Sequence, residues 1–384
     1  MSTLKVDAIR HNSATSDAIT TASDGTCTAK LTSVGGGGLS HRNLVINGAM
    51  MVSQRGTSFS GTAQQYTLDR MQTNTVGNDE VAQTEQAAVT SGGAYTSGFR
   101  KCMKIINGNQ TSGAGAGDIV HLKMVLEAQD IANSGWNYTS SSSFITLSFW
   151  IKSSVAQDFP ITLRSEDGTR QVYNMTTGSL TADTWTKITK TIPGDSNLQF
   201  DDDVNAGLTL FVNAFVGTDY TTGSLAQNAW SAWSGTKQGD NMTSTWYTTN
   251  NATLEITGIQ LEVGDTATSF EHRSYTEELR RCSRYCQIWA RGYCIGNAVG
   301  SNDINIGVPL TTPLRAVPTC NALSMHRSGN QTASCTFHSA QYTPPSAVLE
   351  VRMGGWTGGA AVSDEVAYAV TPTNSETMKI SAEL

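Results

Sequence analysis

The chain is poor in charged residues and in proline. Lys, Arg, Asp and Glu together make up 15% of its 384 residues, and there are 8 prolines against 36 glycines. Disordered polar chains also lack aromatic residues, but this chain has 8 Trp, 11 Tyr and 10 Phe, which is enough to build packed cores. Low charge with abundant Thr, Ser and Gly is typical of an all-β protein, because Thr fits a pleated surface and Gly supplies turns.

A dense basic cluster is missing as well. The net charge is −7, so the chain lacks the positive patch with which proteins bind nucleic acid without regard to sequence. Its one basic run, Arg280, Arg281 and Arg284, shares a predicted helix with Glu277 and Glu278. Ion pairing along that helix explains the run better than phosphate binding does. We therefore expect no nucleic-acid partner.

Long apolar runs are absent. No stretch approaches the roughly 20 apolar residues that span a bilayer, and the first residues lack the apolar segment of a secretory signal. We expect no membrane insertion and no export by the usual route.

The cysteines do not form a disulfide pattern. Their odd number and scattered spacing argue against a disulfide framework and favour reduced thiols, as in a protein made in a bacterial cytoplasm. Cys282 and Cys286 lie four residues apart, which leaves a metal half-site or buried thiols as interpretations, the second being favoured. The seven positions are Cys27, Cys102, Cys282, Cys286, Cys294, Cys320 and Cys335.

Catalytic motifs are missing too. The sequence contains no HExxH, no GxSxG and no P-loop, and its six histidines lack metal-ligand spacing. The densest acidic cluster is Asp201, Asp202 and Asp203. Consecutive strand residues point in opposite directions, so this trio does not suit glycoside hydrolysis. A solvated loop or a Ca²⁺ site of oxygen ligands remain its two interpretations. We expect no enzyme and no cofactor other than this candidate calcium.

What the chain does contain is a series of short alternating segments. Residues 144–152 alternate most clearly, with Ile145, Leu147, Phe149 and Ile151 on one face and Trp150 on the other. Many short strands separated by turn residues predict a β-sandwich or jelly roll. Further strands of this kind are expected at residues 101–106, 118–126, 160–164, 170–173, 185–192 and 207–213.

The most informative segment is residues 254–264. Leu254 and Ile256 share one face of a strand, whereas Ile259 and Leu261 share the other. Because the apolar face switches near Gly258, the pattern predicts a β-bulge at that glycine.

A helix is predicted to follow, from Tyr275 to about Trp289. Ser274 can cap it, and Glu277 completes a capping box. Leu279, Tyr285 and Trp289 lie on one apolar stripe, which either docks on the sandwich or packs against symmetry mates. We take these three residues as a candidate oligomer interface.

Several motifs resemble the carbohydrate-binding-module-like jelly roll of bacteriophage tail fibres. They include the Asn-Leu-Val-Ile-Asn-Gly run of residues 43–48, the Gln-Arg-Gly of residues 54–56 and the Asp-Arg of residues 69–70. Met71 stands where that family usually has a Trp. Later motifs follow in the family's order, from Leu-Ser-Phe-Trp-Ile-Lys-Ser to Thr-Gly-Ile-Gln-Leu-Glu-Val-Gly.

The resemblance implies a mainly β chain in four parts. Residues 1–42, with the Gly linker at 35–38, would form an N-terminal segment for virion attachment and oligomerisation. A jelly-roll β-sandwich would occupy 43–274, and a connecting helix 275–289. The Pro-Leu-Arg-Ala-Val-Pro-Thr run at 313–319 is similar to the C-terminal β domain of such fibres, which implies a distal tip at 290–384.

Aromatic residues in polar loops have two interpretations. Trp136, Tyr138, Trp230 and Trp233 lie among Ser, Asn and Gly residues, so they are candidates for stacking on sugar rings. The alternative is packing in a core or at a subunit interface, which we prefer for Trp150.

The resulting hypothesis is a structural virion protein. It describes a homotrimeric tail fibre subunit, assembled in the host cytoplasm, that binds other virion proteins through its N-terminal segment and a host-surface glycan or receptor elsewhere. The alternatives are a capsid- or tail-decorating adaptor and, less favoured, a polysaccharide depolymerase.

Overall fold

The protein is described by a computed structural model in which most of the chain is placed. The described residues are 6–10, 12–13, 15–24, 27–29, 41–60, 64–221, 226–239, 242–289, 294–299, 303–321, 323–327, 331–354, 367–372 and 377–384. The Gly linker and His11 lie outside them, as do the side chains of Cys27, Cys294 and Cys335.

The described part of the chain is mainly β, and its centre is a sandwich of two antiparallel sheets. The sandwich strands, in chain order, are β4 (Ser58–Ser60), β5 (Gln64–Tyr66), β6 (Gln72–Val76), β7 (Gln83–Ala88), β8 (Lys101–Ile106), β9 (Ile119–Glu127), β10 (Phe144–Ser153), β11 (Pro160–Ser165), β12 (Gln171–Thr176), β13 (Thr186–Pro193), β14 (Ala206–Val216), β15 (Trp230–Ala232) and β16 (Thr253–Val263).

The two sheets divide these strands almost evenly. One has six strands in the order β13-β10-β16-β8-β7-β4, and the other has seven in the order β15-β12-β11-β14-β9-β6-β5. Neighbours in space are often far apart in sequence, as when β10 pairs with β16. The expected β-sandwich is therefore confirmed.

Strand β10 shows how the sequence pattern builds the core. Ile145, Leu147, Phe149 and Ile151 are each at most 1% exposed, and all four lie between the sheets. Trp150 points to the outside, because successive strand residues face opposite ways. Replacing Leu147 by Ala would cost roughly 2–5 kcal/mol, the usual price of a cavity in such a core.

Within the described residues, four short α-helices and one 3₁₀ turn accompany the strands. The α-helices are α1 (Gly92–Thr96), α2 (Ala128–Ala132), α3 (Thr245–Thr248) and α4 (Tyr275–Cys282), and the 3₁₀ turn is Thr218–Tyr220. Helix α4 begins as predicted, since the Ser274 hydroxyl accepts a hydrogen bond from the Glu277 amide. It ends at Cys282, however, so the predicted end near Trp289 is wrong. The residues after it instead form a strand, Cys286–Trp289, that pairs with Met378–Ser381.

The remaining strands form three smaller groups. β1 (Ala8–Ile9), β2 (Ile19–Thr21) and β3 (Cys27–Ala29) make an N-terminal sheet. The C-terminal strands are β17 (Cys286–Trp289), β18 (Cys294–Val299), β19 (Asp303–Pro309), β20 (Thr319–Cys320), β21 (Leu323–Arg327), β22 (Gln331–Gln341), β23 (Val348–Gly354), β24 (Ala367–Pro372) and β25 (Met378–Ser381). One sheet of this part has the order β17-β25-β20, and a closed barrel has the order β18-β19-β23-β22-β21-β24.

A buried ionic network joins the C-terminal part to the start of the sandwich. The Glu383 carboxylate accepts a 3.0 Å hydrogen bond from Arg55 and another from Arg70. Nη1 of Arg55 also lies 3.7 Å from Oδ1 of Asp69. Asp69 and Arg70 are thus linked through Arg55 and Glu383 in one polar network. Arg70 lies in a turn with φ 69° rather than on a strand.

A second part of the same junction is centred on Glu127. Its carboxylate accepts hydrogen bonds from Tyr285 at 2.5 Å and from Arg284 at 2.8 and 2.9 Å. Burial alone would raise the pKa of Glu127, but these hydrogen bonds outweigh it and hold the pKa below its ordinary value. The guanidinium of Arg70 lies 3.5 Å from the centre of the Tyr285 ring. The two parts of the protein are thus held together by paired charges.

Two further findings concern cysteines and helices. Cys102, Cys282 and Cys286 are buried free thiols, and burial raises the pKa of Cys286 to about 12. Buried thiols are therefore the interpretation that holds for the pair at 282 and 286. In the part of the chain that is described, no helix has the length and apolar character that crossing a bilayer requires.

Candidate functional site

The candidate site lies on the outer face of the six-stranded sheet, around Trp150. On the neighbouring strands, Lys187 of β13 and Thr257 of β16 are paired with Trp150. Antiparallel partners point to the same face, so these side chains lie side by side on the outside of the sandwich. Trp150 is half-buried there and packs against a small cluster that is separate from the main core.

A bulge in β16 forms the floor of this site. Between the pairs Ser148–Gln260 and Trp150–Thr257 the register shifts by one residue, and Gly258 has φ 66°. The bulge predicted from the sequence is confirmed, and it lets the apolar residues on both sides of Gly258 reach the core. A Cβ at Gly258 would lie 2.5 Å from Cζ of Phe99, so the glycine also admits the Phe99 ring.

Helix α1 forms one wall. A Cβ at Gly93 would lie 2.5 Å from the six-membered ring of Trp150, and one at Gly92 would lie 3.0 Å from Trp185. The two glycines therefore let the helix backbone press against both indoles. On the other side of Trp185, the Lys152 ammonium lies 5.3 Å from the ring centre. The Trp150 indole, which lines the site, is thus held in place before any ligand arrives, which lowers the entropy lost on binding.

The arm after β16 forms the opposite wall. Phe270 meets Phe99 edge-on, with ring centres 4.8 Å apart, and His272 lies 4.9 Å from Phe270. Next to them, Glu271 accepts hydrogen bonds from the backbone amides of His41 at 2.6 Å and Asn43 at 2.8 Å. These bonds fix the arm and hence the position of its Phe270 ring.

Together these elements enclose a cleft of about 330 Å³. It combines aromatic rings with hydroxyl and ammonium groups. We refer to it as the aromatic cleft, and its lining consists of Ser97, Phe99, Ser148, Trp150, Lys187, Gly258, Ser269, Phe270 and His272. Among the described residues the Lys187 ammonium makes no hydrogen bond or ion pair, so it is available to a ligand oxygen.

The thiol that packs beside Phe99 is not activated as a nucleophile. This is Cys102, which belongs to the cluster that contains Phe99. Burial, together with the neighbouring Glu255 carboxylate, raises the pKa of the Cys102 thiol far above neutrality, so the thiol stays protonated. Elsewhere in the described residues, no group of three or more His, Cys, Asp or Glu side chains could hold a metal ion.

Two of the predicted sugar-binding residues belong to the core or its edge. Trp136 is 3% exposed and donates its indole N–H to the Ser143 carbonyl at 3.3 Å. Its prediction as an exposed stacking surface is wrong, because residues 134–143 fold back and bury the ring. Tyr138 is half-buried and packs edge-on against Phe200 at 5.0 Å. Neither residue reaches the aromatic cleft.

The other two predicted aromatics lie on the seven-stranded sheet. Trp230 packs 5.2 Å from Tyr173 and donates its indole N–H to the Pro193 carbonyl at 2.8 Å, so it covers the edge of the core. Trp233 lies on the outer face, where its ring centre is 5.2 Å from the guanidinium of Arg164. The four residues are therefore spread over the sandwich and do not form one site.

The acidic cluster does not converge on a point. Asp201 accepts a hydrogen bond from Gln199 and Asp202 one from Asn133, while Asp203 binds Asn205 two residues on. The carboxylates point to different neighbours, as consecutive residues tend to do. The geometry described for Asp201, Asp202 and Asp203 thus does not provide a calcium cage.

The candidate oligomer interface is also not a continuous stripe. Tyr285 is 1% exposed and is used within the chain, against Glu127 and Arg70. Leu279 on α4 and Trp289 on β17 are both half-buried, and Trp289 packs on the C-terminal core. The prediction is wrong for Tyr285, which is buried within the chain, and it stays a prediction for Leu279 and Trp289, which lie on different elements because the helix ends at Cys282.

Sequence reasoning missed the aromatic cleft. The alternation of β10 places Trp150 correctly on the outer face, but the sequence favours packing in a core or at a subunit interface for it and singles out neither Phe99 nor Phe270. The alternation of β10 and the bulge at Gly258 were the available signals, since together they place an aromatic ring outside a strand that bends.

Comparison with known proteins gives only remote structural similarity. No protein-family model and no curated protein matches the chain. Among solved structures, the enzymatically active domain of tailspike protein 4 from bacteriophage CBA120 is similar over 58% of this chain and 21% of its own, with 11% identity and a TM-score of 0.29. This chain thus spans about a fifth of that structure.

Two sugar-binding proteins show the same level of similarity. A putative sugar binding protein from Bacteroides thetaiotaomicron has 13% identity over 58% of this chain and 100% of its own, with a TM-score of 0.30. The family 11 carbohydrate-binding module from Clostridium thermocellum has 15% identity over 56% and 98%, with a TM-score of 0.25. At such TM-scores the similarities do not bear on the function of this chain.

Proposed function

We propose that this chain is a saccharide-binding protein and that the aromatic cleft is its binding site. The observation that carries the proposal is the preformed cleft of about 330 Å³, in which Trp150 and Phe270 are held beside free hydroxyl and ammonium groups. Sugar rings present apolar C–H faces that stack on aromatic rings and hydroxyls that need hydrogen-bond partners. The cleft supplies both kinds of contact.

The biological setting we propose is host attachment by a phage tail fibre. The support for it is the order of sequence motifs, from the Asn-Leu-Val-Ile-Asn-Gly run to the strand at Thr253–Val263. In this proposal the chain forms a homotrimer, its N-terminal segment contacts other virion proteins, and the sandwich or the C-terminal barrel meets the host surface. Mass measurement by light scattering tests the trimer.

The cleft itself is tested by binding. The purified full-length chain is screened on a glycan array and on host cells, and the best saccharide is then titrated calorimetrically against Trp150→Ala and Phe270→Ala. We expect each variant to bind at least about tenfold more weakly, which corresponds to roughly 1.4 kcal/mol. Tyr275→Ala is the matched control, because Tyr275 is 55% exposed and lies outside the cleft.

Two outcomes contradict the proposal. One is the absence of binding to any glycan or cell surface by a folded, unmodified chain. The other is unchanged affinity in the double variant Trp150→Ala/Phe270→Ala, provided that its circular dichroism spectrum matches that of the unmodified protein.

A further inference from the structure

A second polar surface lies on the opposite side of the sandwich, on the outer face of the seven-stranded sheet. One row across this sheet runs from Lys123 of β9 through Phe211 of β14 and Thr162 of β11 to Asn174 of β12, each residue paired with the next. Arg164 lies two residues from Thr162 on the same face. We call this surface the basic face.

Charge on the basic face is unbalanced. Arg164 and Arg170 both contact Glu166, at 2.8 and 3.1 Å. Among the described residues, Lys123 and Lys237 make no ion pair at all. Among the described ion pairs, Glu166 is the one carboxylate that any of these four cationic side chains contacts, on a chain whose net charge is −7.

Aromatic rings hold the arginine of this face in place. The Arg164 guanidinium lies 5.0 Å from the centre of the Phe211 ring and 5.2 Å from that of Trp233. The Arg170 guanidinium lies 5.6 Å from the same Trp233 ring. Such contacts orient the two guanidinium groups without neutralising them.

Buried hydrogen-bond donors on the same face have no partner. Within the described residues, Nδ2 of Asn174, Nδ2 of Asn213 and Nε1 of Trp233 make no hydrogen bond. Asn174 is 0% and Asn213 1% exposed, and a buried donor without an acceptor destabilises a protein. Of the three, Trp233 lines the small cavity on this face, so its N–H can donate to an oxygen placed there.

Titration behaviour agrees with this interpretation. Burial lowers the pKa of His121 to about 3, with a further contribution from Lys123 and Arg164, so the imidazole is neutral and adds no charge. Burial and the neighbouring Arg164 also lower the pKa of Lys123, against a small opposing effect of Glu166. Burial is the larger cause of both pKa shifts, and the neighbouring positive charges add to it.

The enclosed part of the basic face is small. The cavity beneath Trp233, Lys237 and Gln238 measures about 10 Å³, which is room for one water-sized group. A carboxylate oxygen or one bridging water fits it. A whole sugar ring does not, and would lie outside, toward Lys123.

We propose that the basic face binds an acidic saccharide, with the sugar carboxylate held by Lys123, Lys237 and Arg164 and one carboxylate oxygen accepting from the Trp233 indole N–H, which lines the cavity. A long nucleic acid is disfavoured as the ligand, because the negative net charge of the chain repels an extended polyanion. The inference goes beyond the aromatic cleft and does not depend on ligand binding there.

The test uses trigalacturonic acid as the probe and its trimethyl ester as the uncharged counterpart. The full-length chain is titrated calorimetrically with each, at low and at physiological salt. We expect the acid to bind and the ester to bind at least about tenfold more weakly. Added salt should lower the affinity of the protein for the acid. The double variant Lys123→Gln/Lys237→Gln should lose about tenfold in affinity for the acid, since each charge-assisted contact contributes to binding.

Controls separate this proposal from the previous one. Lys190→Gln, on the other sheet, should not change the affinity for the acid, and neither should Trp150→Ala. Loss of acid binding in Trp150→Ala would place the acid in the aromatic cleft and overturn the inference, as would equal binding of acid and ester or unchanged affinity in the double lysine variant. No binding of the acid, or displacement of it by inorganic phosphate or oligothymidylate at lower concentration, would likewise overturn it.

Discussion

Replacing Gly258 by Ala tests the link between the bulge and the aromatic cleft. Gly258 has φ 66°, and an added Cβ would lie 2.5, 2.9 and 3.0 Å from three ring carbons of Phe99. Phe99 is 2% exposed, so its ring cannot move aside freely, and it contacts the Phe270 ring of the cleft. The substitution therefore disturbs both the backbone of β16 and the floor of the cleft.

The expected cost has two parts. A non-glycine residue in the left-handed region costs about 1 kcal/mol, and forcing a methyl group into a packed site costs roughly 1–3 kcal/mol. We expect Gly258→Ala to lower the free energy of unfolding by roughly 2–4 kcal/mol in total. Because Phe99 is pushed toward Phe270, we also expect weaker binding of any ligand of the cleft.

Urea unfolding followed by tryptophan fluorescence measures the loss. Gly178→Ala is the matched control, because Gly178 has φ 74° but nothing within 4 Å of its Cβ position. It should show only the backbone part, about 1 kcal/mol. The double variant Phe99→Leu/Gly258→Ala should recover part of the stability relative to Gly258→Ala after the cost of Phe99→Leu is subtracted. Equal losses in Gly258→Ala and Gly178→Ala would refute the proposed clash with Phe99.

Two further predictions concern stability. The folded-state pKa of His121 is lowered from 6.5 to about 3, so between these pH values the unfolded chain binds a proton that the folded chain does not. The free energy of unfolding therefore falls as the pH drops through that window, by up to about 1.4 kcal/mol per pH unit. Urea titrations of His121→Gln at several pH values should show a shallower fall, and an unchanged slope would contradict the assignment. Glu383→Gln should cost roughly 3 kcal/mol, because Arg55 and Arg70 lose their shared buried carboxylate. Glu350→Gln, on an exposed carboxylate, should stay within about 0.5 kcal/mol, and a similar small loss for both would show that the Glu383 network contributes little.

The sandwich could be predicted where large apolar residues alternate. Strand β8 has the predicted bounds, Lys101–Ile106, whereas β10 extends one residue beyond its predicted end and β16 is shifted by one residue at both ends. The bulge at Gly258 was visible because Ile256 and Ile259 would otherwise face opposite ways. In these segments, the alternation of apolar and polar residues shows directly which side chains face the core.

Polar strands escaped prediction. β6 reads Gln-Thr-Asn-Thr-Val and β7 reads Gln-Thr-Glu-Gln-Ala-Ala, so neither shows apolar alternation. Their buried positions are filled in part by threonines, and the hydroxyls of Thr73 and Thr84 hydrogen-bond to each other at 2.9 Å between the sheets. A core position that is satisfied by a hydroxyl pair cannot be told from a surface position in one sequence.

The end of α4 and the aromatic cleft depend on contacts that sequence spacing does not show. Residues from Cys286 to Trp289 continue a helical stripe, yet they pair with β25, about ninety positions later. The cleft likewise joins Phe99, Trp150 and Phe270, which belong to three separate segments. No local pattern relates rings at such distances, so only the folded chain shows them together.

The arginines of the junction also have a consequence for the order of folding. Glu383 follows its partners Arg55 and Arg70 by 328 and 313 positions. During synthesis these arginines emerge from the ribosome long before their carboxylate exists, so the first-made part of the protein carries unneutralised basic groups at a surface that is later covered. This junction therefore cannot form until residue 383 has been made, and closing such a distant contact is intrinsically slow.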